Sequence, residues 1–548
     1  MNFLLKFFVI FAFSLISCKN APTIPYQPFQ VNTVKIDGKE SKNASFENVG
    51  VSPKITINFS SKINFATANT SVLILNTKTN EKVQNNIEIG NNDSSLNISP
   101  QTKLQHLNNY QIQILQTLKS KENQSLISES QVRFNTVMDS TDKFARISDD
   151  ELLTLIQKQT FKYFWDFGHP VSGLARERNT SGDIITSGGS GFGIMAIPIA
   201  IKRNFISRQE GLERMLKITN FLKNKTVSYH GVFPHWLNGA TGATIAFSAK
   251  DNGADLVETS YLMAGLLTAR QYFDQNTTNE TKLRKEITEL WEDVDWNFHT
   301  KNNENVLYWH WSPNFGWEMN HQIHGYNEAL ITYILAAASP THPIQKAIYD
   351  VGWARNGSIK NGKKFYNIEL PLGEDLGGPL FFEQYTFLGI DPRKLKDQYA
   401  DYNLQVKNHS LINRNYCVAN PKGYMGYSKD CWGLTASDNQ DGYSAHSPTN
   451  DLGVITPTAA ISSLPFTPTE SMEAIRFFYY KLGDKIWKNH GFVDAFNLSK
   501  GWYATSYLAI DQGPIIGMIE NHRSGQLWQL LMADPDVKNG LNKLGFKY

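Results

Sequence analysis

The chain has 548 residues, of which 41% are hydrophobic and 12% aromatic, enough for two domains and a large core. Its 53 Lys and Arg nearly balance 51 Asp and Glu, and a formal net charge of +2 excludes the basic footprint of a nucleic-acid binder. No run after the N-terminus approaches the ~20 apolar residues of a membrane-spanning helix.

The chain opens MNFLLKFFVIFAFSLISCKN, with Lys6 ahead of an apolar run from Phe7 to Ile16 that is short for a span and patterned as an export signal. Its ending, Leu15-Ile16-Ser17-Cys18, resembles a bacterial lipoprotein signal. That resemblance implies removal of residues 1–17, lipidation of the Cys18 thiol, and a protein anchored by lipid in the periplasm or at the outer membrane. Residues 18–35 are polar with three prolines and read as a tether. Period two then takes over: Val51, Ile55-Ile57-Phe59, Val72 to Leu75, Ile87-Ile89, Leu96-Ile98, Ile112-Ile114 and Val132-Phe134, separated by polar turns. Residues 36–138 are expected to form a small all-β sandwich. The segment Val51 to Ser60 resembles the opening strands of bacterial Ig-like domains, which act as spacers.

Residues 139–548 have a different texture. Ser148-Asp-Asp-Glu151 and Ser207-Arg-Gln-Glu210 are capping boxes, each followed by apolar residues at helical spacing. Leu283, Ile287, Leu290, Trp291 and Val294 mark another amphipathic helix. Thr467-Pro-Thr-Glu470 opens one more, expected to stop near Gly483. About ten to twelve helices with almost no strands predict a mostly α toroid rather than a parallel α/β fold. Gly188-Gly189-Ser190-Gly191-Phe192-Gly193 lacks the lysine and strand context of a phosphate loop and reads as a tight turn before a helix at Ile194.

Acids gather at three loop-to-helix junctions. Asp251, Asp255 and Glu258 are spaced i, i+4 and i+7, one stripe if a helix starts by Asp251. Trp309, Trp311, Phe315 and Trp317 precede His324-Gly325-Tyr326-Asn327-Glu328, which places Glu328 at a helix start below aromatics suited to a sugar. Asp511 precedes Pro514 near a third helix start, and Glu520 and Arg523 lie i, i+3, the spacing of an ion pair. Acids on separate loops can supply the protonated and the ionised carboxyl that glycoside hydrolysis needs. A bridge between Cys417 and Cys431 is expected in an exported protein. No Cys/His cluster has ligand spacing, and His321 with His324 reads as a solvated or hydroxyl-contacting pair, so no metal or organic cofactor is expected.

Phe164-Trp165-Asp166, Gly191-Phe192-Gly193, Asp251-x3-Asp255-x2-Glu258-Thr-Ser, Gly325-Tyr326-Asn327-Glu328, Cys431-Trp432 through Asp438, and Asp511-Gln-Gly-Pro514 through Glu520-Asn521 occur in this order. With them the region from Ser148 to Trp528 resembles the glucoamylase-like glycoside hydrolase family 144, bacterial β-1,2-glucanases. The resemblance implies an (α/α)6 barrel and inverting hydrolysis of β-1,2-glucan to sophorose and short oligosaccharides, by endo or sophorose-releasing exo cleavage. It implies Glu328 as general acid and Asp511 as general base, with Asp438 and Asp441 as neighbouring alternatives for the base. The expected substrate contacts are Asp251, Asp255, Glu258, Trp309, Trp311, Trp317, His324, Tyr326, Trp432 and Glu520. A transglycosylase of the same fold and a non-catalytic carbohydrate-binding lipoprotein are the alternative functions.

Overall fold

The structure is a computed structural model that describes residues 28–41 and 43–548. The export signal and Cys18 lie outside the described residues. The chain divides into two compact units, Met1–Asp139 and Ser140–Tyr548.

Among the described residues the first unit holds ten strands: β1 (Val31–Ile36), β2 (Lys39–Glu40), β3 (Ser45–Val49), β4 (Ile55–Phe59), β5 (Val72–Asn76), β6 (Lys82–Val83), β7 (Asn85–Ile89), β8 (Ser95–Pro100), β9 (Asn109–Ile114) and β10 (Ser130–Thr136). They form two sheets, ordered β2-β1-β4-β8-β7 and β3-β10-β9-β5-β6, antiparallel throughout except where β3 pairs with β10. Alternate residues of the predicted strands, such as Ile55, Ile57 and Phe59 with Ile112, Ile114, Val132 and Phe134, gather in one core. The tether is shorter than expected. Phe29 is buried and stacks on Phe59 with ring centroids 5.5 Å apart, and β1 pairs along β4. A buried phenylalanine contributes about 1.5–3 kcal/mol, enough to draw this segment into the sandwich. The sequence VNTVKI hid the strand because only the two-residue β2 flanks its other edge, where polar side chains are tolerated.

The second unit is mostly helical: α1 (Asp149–Trp165), α2 (Ser187–Lys202), α3 (Arg208–Asn224), α4 (Leu256–Tyr272), α5 (Thr278–Glu292), α6 (Leu330–Ala338), α7 (Phe381–Gln384), α8 (Tyr402–Ala419), α9 (Pro457–Ser462), α10 (Pro468–Arg476), α11 (Ala509–Arg523), α12 (Gln526–Ala533) and α13 (Pro535–Leu544). Both capping boxes form as read, at Ser148 and Ser207. The segment after α10 runs on through Phe477–Lys481 and Leu482–Ile486, past the stop expected at Gly483. Helices α2, α4, α6 and α11 are buried on nearly all sides, whereas α1, α3 and α5 keep a polar face.

The glycines from Gly188 to Gly193 lie inside α2, not in a turn before it. Close packing is the reason. A Cβ on Gly191 would stand 2.1 Å from the Tyr261 carbonyl oxygen, and one on Gly265 would stand 2.3 Å from that of Gly191. Each glycine costs the helix about 1 kcal/mol in propensity, and contact between α2 and α4 offsets it. Cys417 and Cys431 are separate buried thiols, not the expected bridge. Cys417 sits on α8 with its sulfur against the amide of Gly433. Because the backbone of α4 has nowhere to move, Gly191→Ala should lower stability by about 1–3 kcal/mol. Thermal melting measures this, and an unchanged melting temperature would refute the close crossing.

Candidate active site

Asp255 caps α4. Its Oδ1 accepts the amides of Val257 at 3.1 Å and Glu258 at 2.9 Å and the Trp309 indole N–H at 2.9 Å, and its Oδ2 meets His235 Nδ1 at 2.9 Å. The two-residue strand Ala254–Asp255 pairs with His310–Trp311, which brings His310 Nε2 to 3.5 Å from Asp251 and 3.8 Å from Asp255. Glu258 accepts the Gly188 amide at 2.7 Å and the Thr186 hydroxyl at 3.2 Å. The helical stripe predicted for these acids is corrected: α4 begins at Leu256, Asp251 lies in the preceding loop, and a strand pair brings the acids together.

Their charges are uneven. Burial, with the neighbouring Asp255 charge, lifts Asp251 to about 7, and burial lifts Glu258 as well. Burial opposes ionisation of Asp255 too, but the hydrogen bond and charge of His235 hold it below the usual carboxylate range. Burial would lower His235, yet the charges of Glu258 and Asp255 prevail and raise it to about 9. Burial takes His310 down to about 4 and keeps it neutral. Asp255 is therefore a fully buried cap inside an ion pair, not a solvated pocket acid.

Glu328 stands two residues before α6, as the loop-to-helix reading placed it. Its carbonyl accepts the Thr386 hydroxyl at 2.9 Å and the Tyr261 hydroxyl at 3.3 Å. Burial raises its carboxyl to about 7; its own amide opposes that, and the charges of Glu258 and Asp255 add to it. Phe192, Tyr261 and Tyr385 pack ring to ring, with centroids 5.2–5.6 Å apart. Buried Tyr385 feels the charges of both Asp511 and Glu328, so both carboxyls lie near this aromatic floor.

On the other side, Asp511 occupies the first turn of α11 and is pushed well above the carboxylate range by burial and then by Asp494. Asp494, Arg178 and Tyr385 were missed in the sequence. The signal for Asp494 was an acid inside the apolar run Gly491-Phe-Val-Asp-Ala-Phe496. Arg178 Nη1 binds Asp438 at 3.2 Å, and the Ser506 hydroxyl donates to the same carboxyl at 2.5 Å. These groups line a cavity of about 650 Å³ with Tyr443 and Trp502. Asp441 is exposed in the turn between Ala436–Asn439 and Gly442–Ala445 and stands apart from the cluster.

Three expected sugar contacts, Tyr326, Trp432 and Glu520, are buried in structural roles. Tyr326 is buried, its hydroxyl on Glu383, which also takes His409 Nδ1 at 2.7 Å and Gln405 at 2.8 Å. Trp432 is fully buried, its indole N–H 3.4 Å from the Glu470 carbonyl. Glu520 is fully buried against Arg203, at 2.7 and 2.9 Å, while Arg523 binds Asp150 instead. Trp311 and Trp317 pack on Phe298 at 5.7 and 5.2 Å, half-buried in an aromatic cluster. Trp309 stays half-exposed, stacked on His321 at 5.0 Å, and His324 is exposed. Among the described residues His235, Asp251 and Asp255 have metal-ligand proximity, and His235 Nδ1 already meets Asp255 Oδ2 at 2.9 Å.

Buried carboxyls of unequal proton affinity beside an aromatic floor, in a mostly helical unit, are the equipment that a helical glycoside hydrolase needs. The family described as "Putative glucoamylase" matches residues 320–535, and the bacterial Ig-like domain matches residues 41–136. The chain is 44% identical over 421 residues to the exo β-1,2-glucooligosaccharide sophorohydrolase (non-reducing end) of Parabacteroides distasonis, covering 73% of this chain and 58% of that protein. It is 50% identical to the endo-β-1,2-glucanase of Chitinophaga pinensis, solved with sophorotriose and glucose, covering 74% of this chain and 99% of that one at a TM-score of 0.72. A β-1,2-glucanase structure from Parabacteroides distasonis is 36% identical, covering 94% of this chain and 72% of that one at a TM-score of 0.71. The chain belongs to the glucoamylase-like glycoside hydrolase family 144, with an Ig-like domain ahead of the hydrolase domain.

Asp255→Asn keeps a capping oxygen but removes the charge that answers His235, so melting temperature and activity should fall together. His235 is raised on folding, so its stabilisation is full below about pH 6.5 and is lost as pH rises through about 9. The stability gap between the wild type and the variant should therefore narrow between about pH 6 and about pH 9.5. Denaturant titrations across that range test it, and a constant gap would rule out the ion pair.

Proposed function

We propose that this chain hydrolyses β-1,2-glucan with inversion, releasing sophorose and short β-1,2-glucooligosaccharides by endo or sophorose-releasing exo cleavage. The observation that carries the reading is the placement of Glu328 and Asp511 about one aromatic floor, with Glu328 held near 7 by burial. Such a carboxyl keeps its proton at neutral pH and gives it to the glycosidic oxygen as the bond to C1 breaks. Asp511 takes a proton from the water that attacks C1 from the opposite face, which needs the two carboxyls about 6.5–9.5 Å apart. Trp309 offers a ring to a sugar face, and Asp251 offers a carboxyl to its hydroxyls.

The fold belongs to the same proposal: six inner and six outer helices, an (α/α)6 barrel. Helices α11, α2, α4 and α6 pack in succession. The Ile331 amide on the Thr386 hydroxyl ties α6 to the turn after α7, and Gln384 on the Ala459 carbonyl ties α7 to α9. Packing of α9 on α11 closes the ring, with α1, α3, α5, α13, α8 and α10 outside. The proposal also includes export, with lipidation at Cys18 and anchorage in the periplasm or at the outer membrane. Cys18→Ala should then free the protein from the membrane fraction, and retention there at unchanged mass would refute the anchor.

Glu328→Gln and Asp511→Asn should each reduce turnover of linear β-1,2-glucan by about 10²-fold or more. In the wild type, kcat/KM should fall as pH rises above about 7, where Glu328 loses its proton. NMR of the first product should show the α-anomer, and a β-anomer would overturn the inverting mechanism. A time course of products separates a mixed ladder from sophorose alone.

A further inference from the structure

Among the described residues, two buried carboxyl oxygens lack a partner with an N–H or O–H to give: Asp494 Oδ1 and Asp511 Oδ2. They belong to neighbouring residues, each 2% exposed, whose carboxyls hydrogen-bond to one another. Ionised carboxylates only accept, so that bond requires a proton on one of the two groups. The rest of Asp494 is fixed: its Oδ2 accepts the Asp438 amide at 2.7 Å, and its own amide donates to the Ser506 carbonyl at 3.0 Å. The charged and titratable groups facing the pair are Asp438 and Arg178 and the phenols of Tyr163, Tyr385 and Tyr443. Arg178 directs its guanidinium to Asp438 and Glu177, leaving neither aspartate with a salt bridge of its own.

We propose that Asp494 and Asp511 share one proton, which makes Asp494 the positioning residue for the catalytic base. The inference rests on the reading of Asp511 as that base. The pair serves as base in the form with the proton on Asp494, donated to Asp511 Oδ2, and the single negative charge on Asp511. Two carboxyls this close hold one proton between them because two buried negative charges side by side repel. When water attacks C1, Asp511 takes the water proton and the pair becomes neutral with two protons. One of these leaves to solvent, and Glu328, having given its proton to the leaving oxygen, takes one back, so each turnover balances.

The sign of one pH shift tests this. A carboxylic O–H is a stronger donor to a carboxylate than an amide N–H, and alanine donates nothing. The acid limb of kcat should therefore move to higher pH from wild type to Asp494→Asn, and further in Asp494→Ala, by about one unit overall. KM should stay unchanged, because Asp494 is placed behind the base and not against substrate. If Asp494 were only an ionised neighbour repelling charge, the limb would move to lower pH in both variants, and that would overturn the proposal. An unmoved limb would overturn it too, while leaving Asp511 as the base. Near-normal turnover in Asp511→Asn would instead sink the base assignment itself. Should the variants fold poorly, infrared spectra of the wild type keep the proposal testable. A protonated-carboxyl band at pH 7 that is weaker by one carboxyl in Asp511→Asn than in the wild type supports the pair, and an unchanged band refutes it.

Discussion

Everything at this site depends on holding carboxyl groups where water is scarce. An ionised carboxylate loses several kcal/mol of hydration when buried, so each one must be answered by donors, by a cation, or by keeping its proton. All three answers occur here. Asp255 is surrounded by two backbone amides, an indole and His235. Glu520 takes the fixed charge of Arg203, and Glu383 takes His409, Gln405 and Tyr326. Glu328 has few donors and keeps its proton to about 7. A carboxyl that the fold leaves under-answered is one that can change its protonation state near neutral pH.

The crossing of α2 and α4 shows how packing and chemistry are joined. Gly188 gives its amide to Glu258, and a Cβ there would stand 2.6 Å from the same carboxyl oxygen. Glycine therefore serves two needs in one helix: close approach of the backbones at Gly191 and Gly265, and an amide bare enough for an acid to reach. Tyr261, one helical turn beyond Glu258, carries the contact on to the Glu328 carbonyl. The loop that presents the acid is thereby fixed to the buried centre of the unit.

Aromatic residues divide along the same line. Trp432 is wholly committed to packing, whereas Trp309, Trp311 and Trp317 are half-buried, and the Trp309 indole N–H orders Asp255. Composition could not separate these roles, because a tryptophan beside Asn and Gly in a chain looks the same whether its neighbours in space are water or other rings.

What the chain determined locally, it displayed openly. Period two placed six of the sandwich strands, Ser148 and Ser207 announced their helices, and Glu328 and Asp511 stood at helix starts, since these signals depend on residues within a turn or two of one another. Tertiary structure decided the rest. It set Asp255 as a cap, paired Glu520 with Arg203 from 317 residues away, and laid Asp494 against Asp511. It also kept Gly188 to Gly193 helical. In each case the deciding partner lies on a distant segment, and a carboxyl's charge, like a glycine's helicity, follows from what the fold brings within a few ångströms of it.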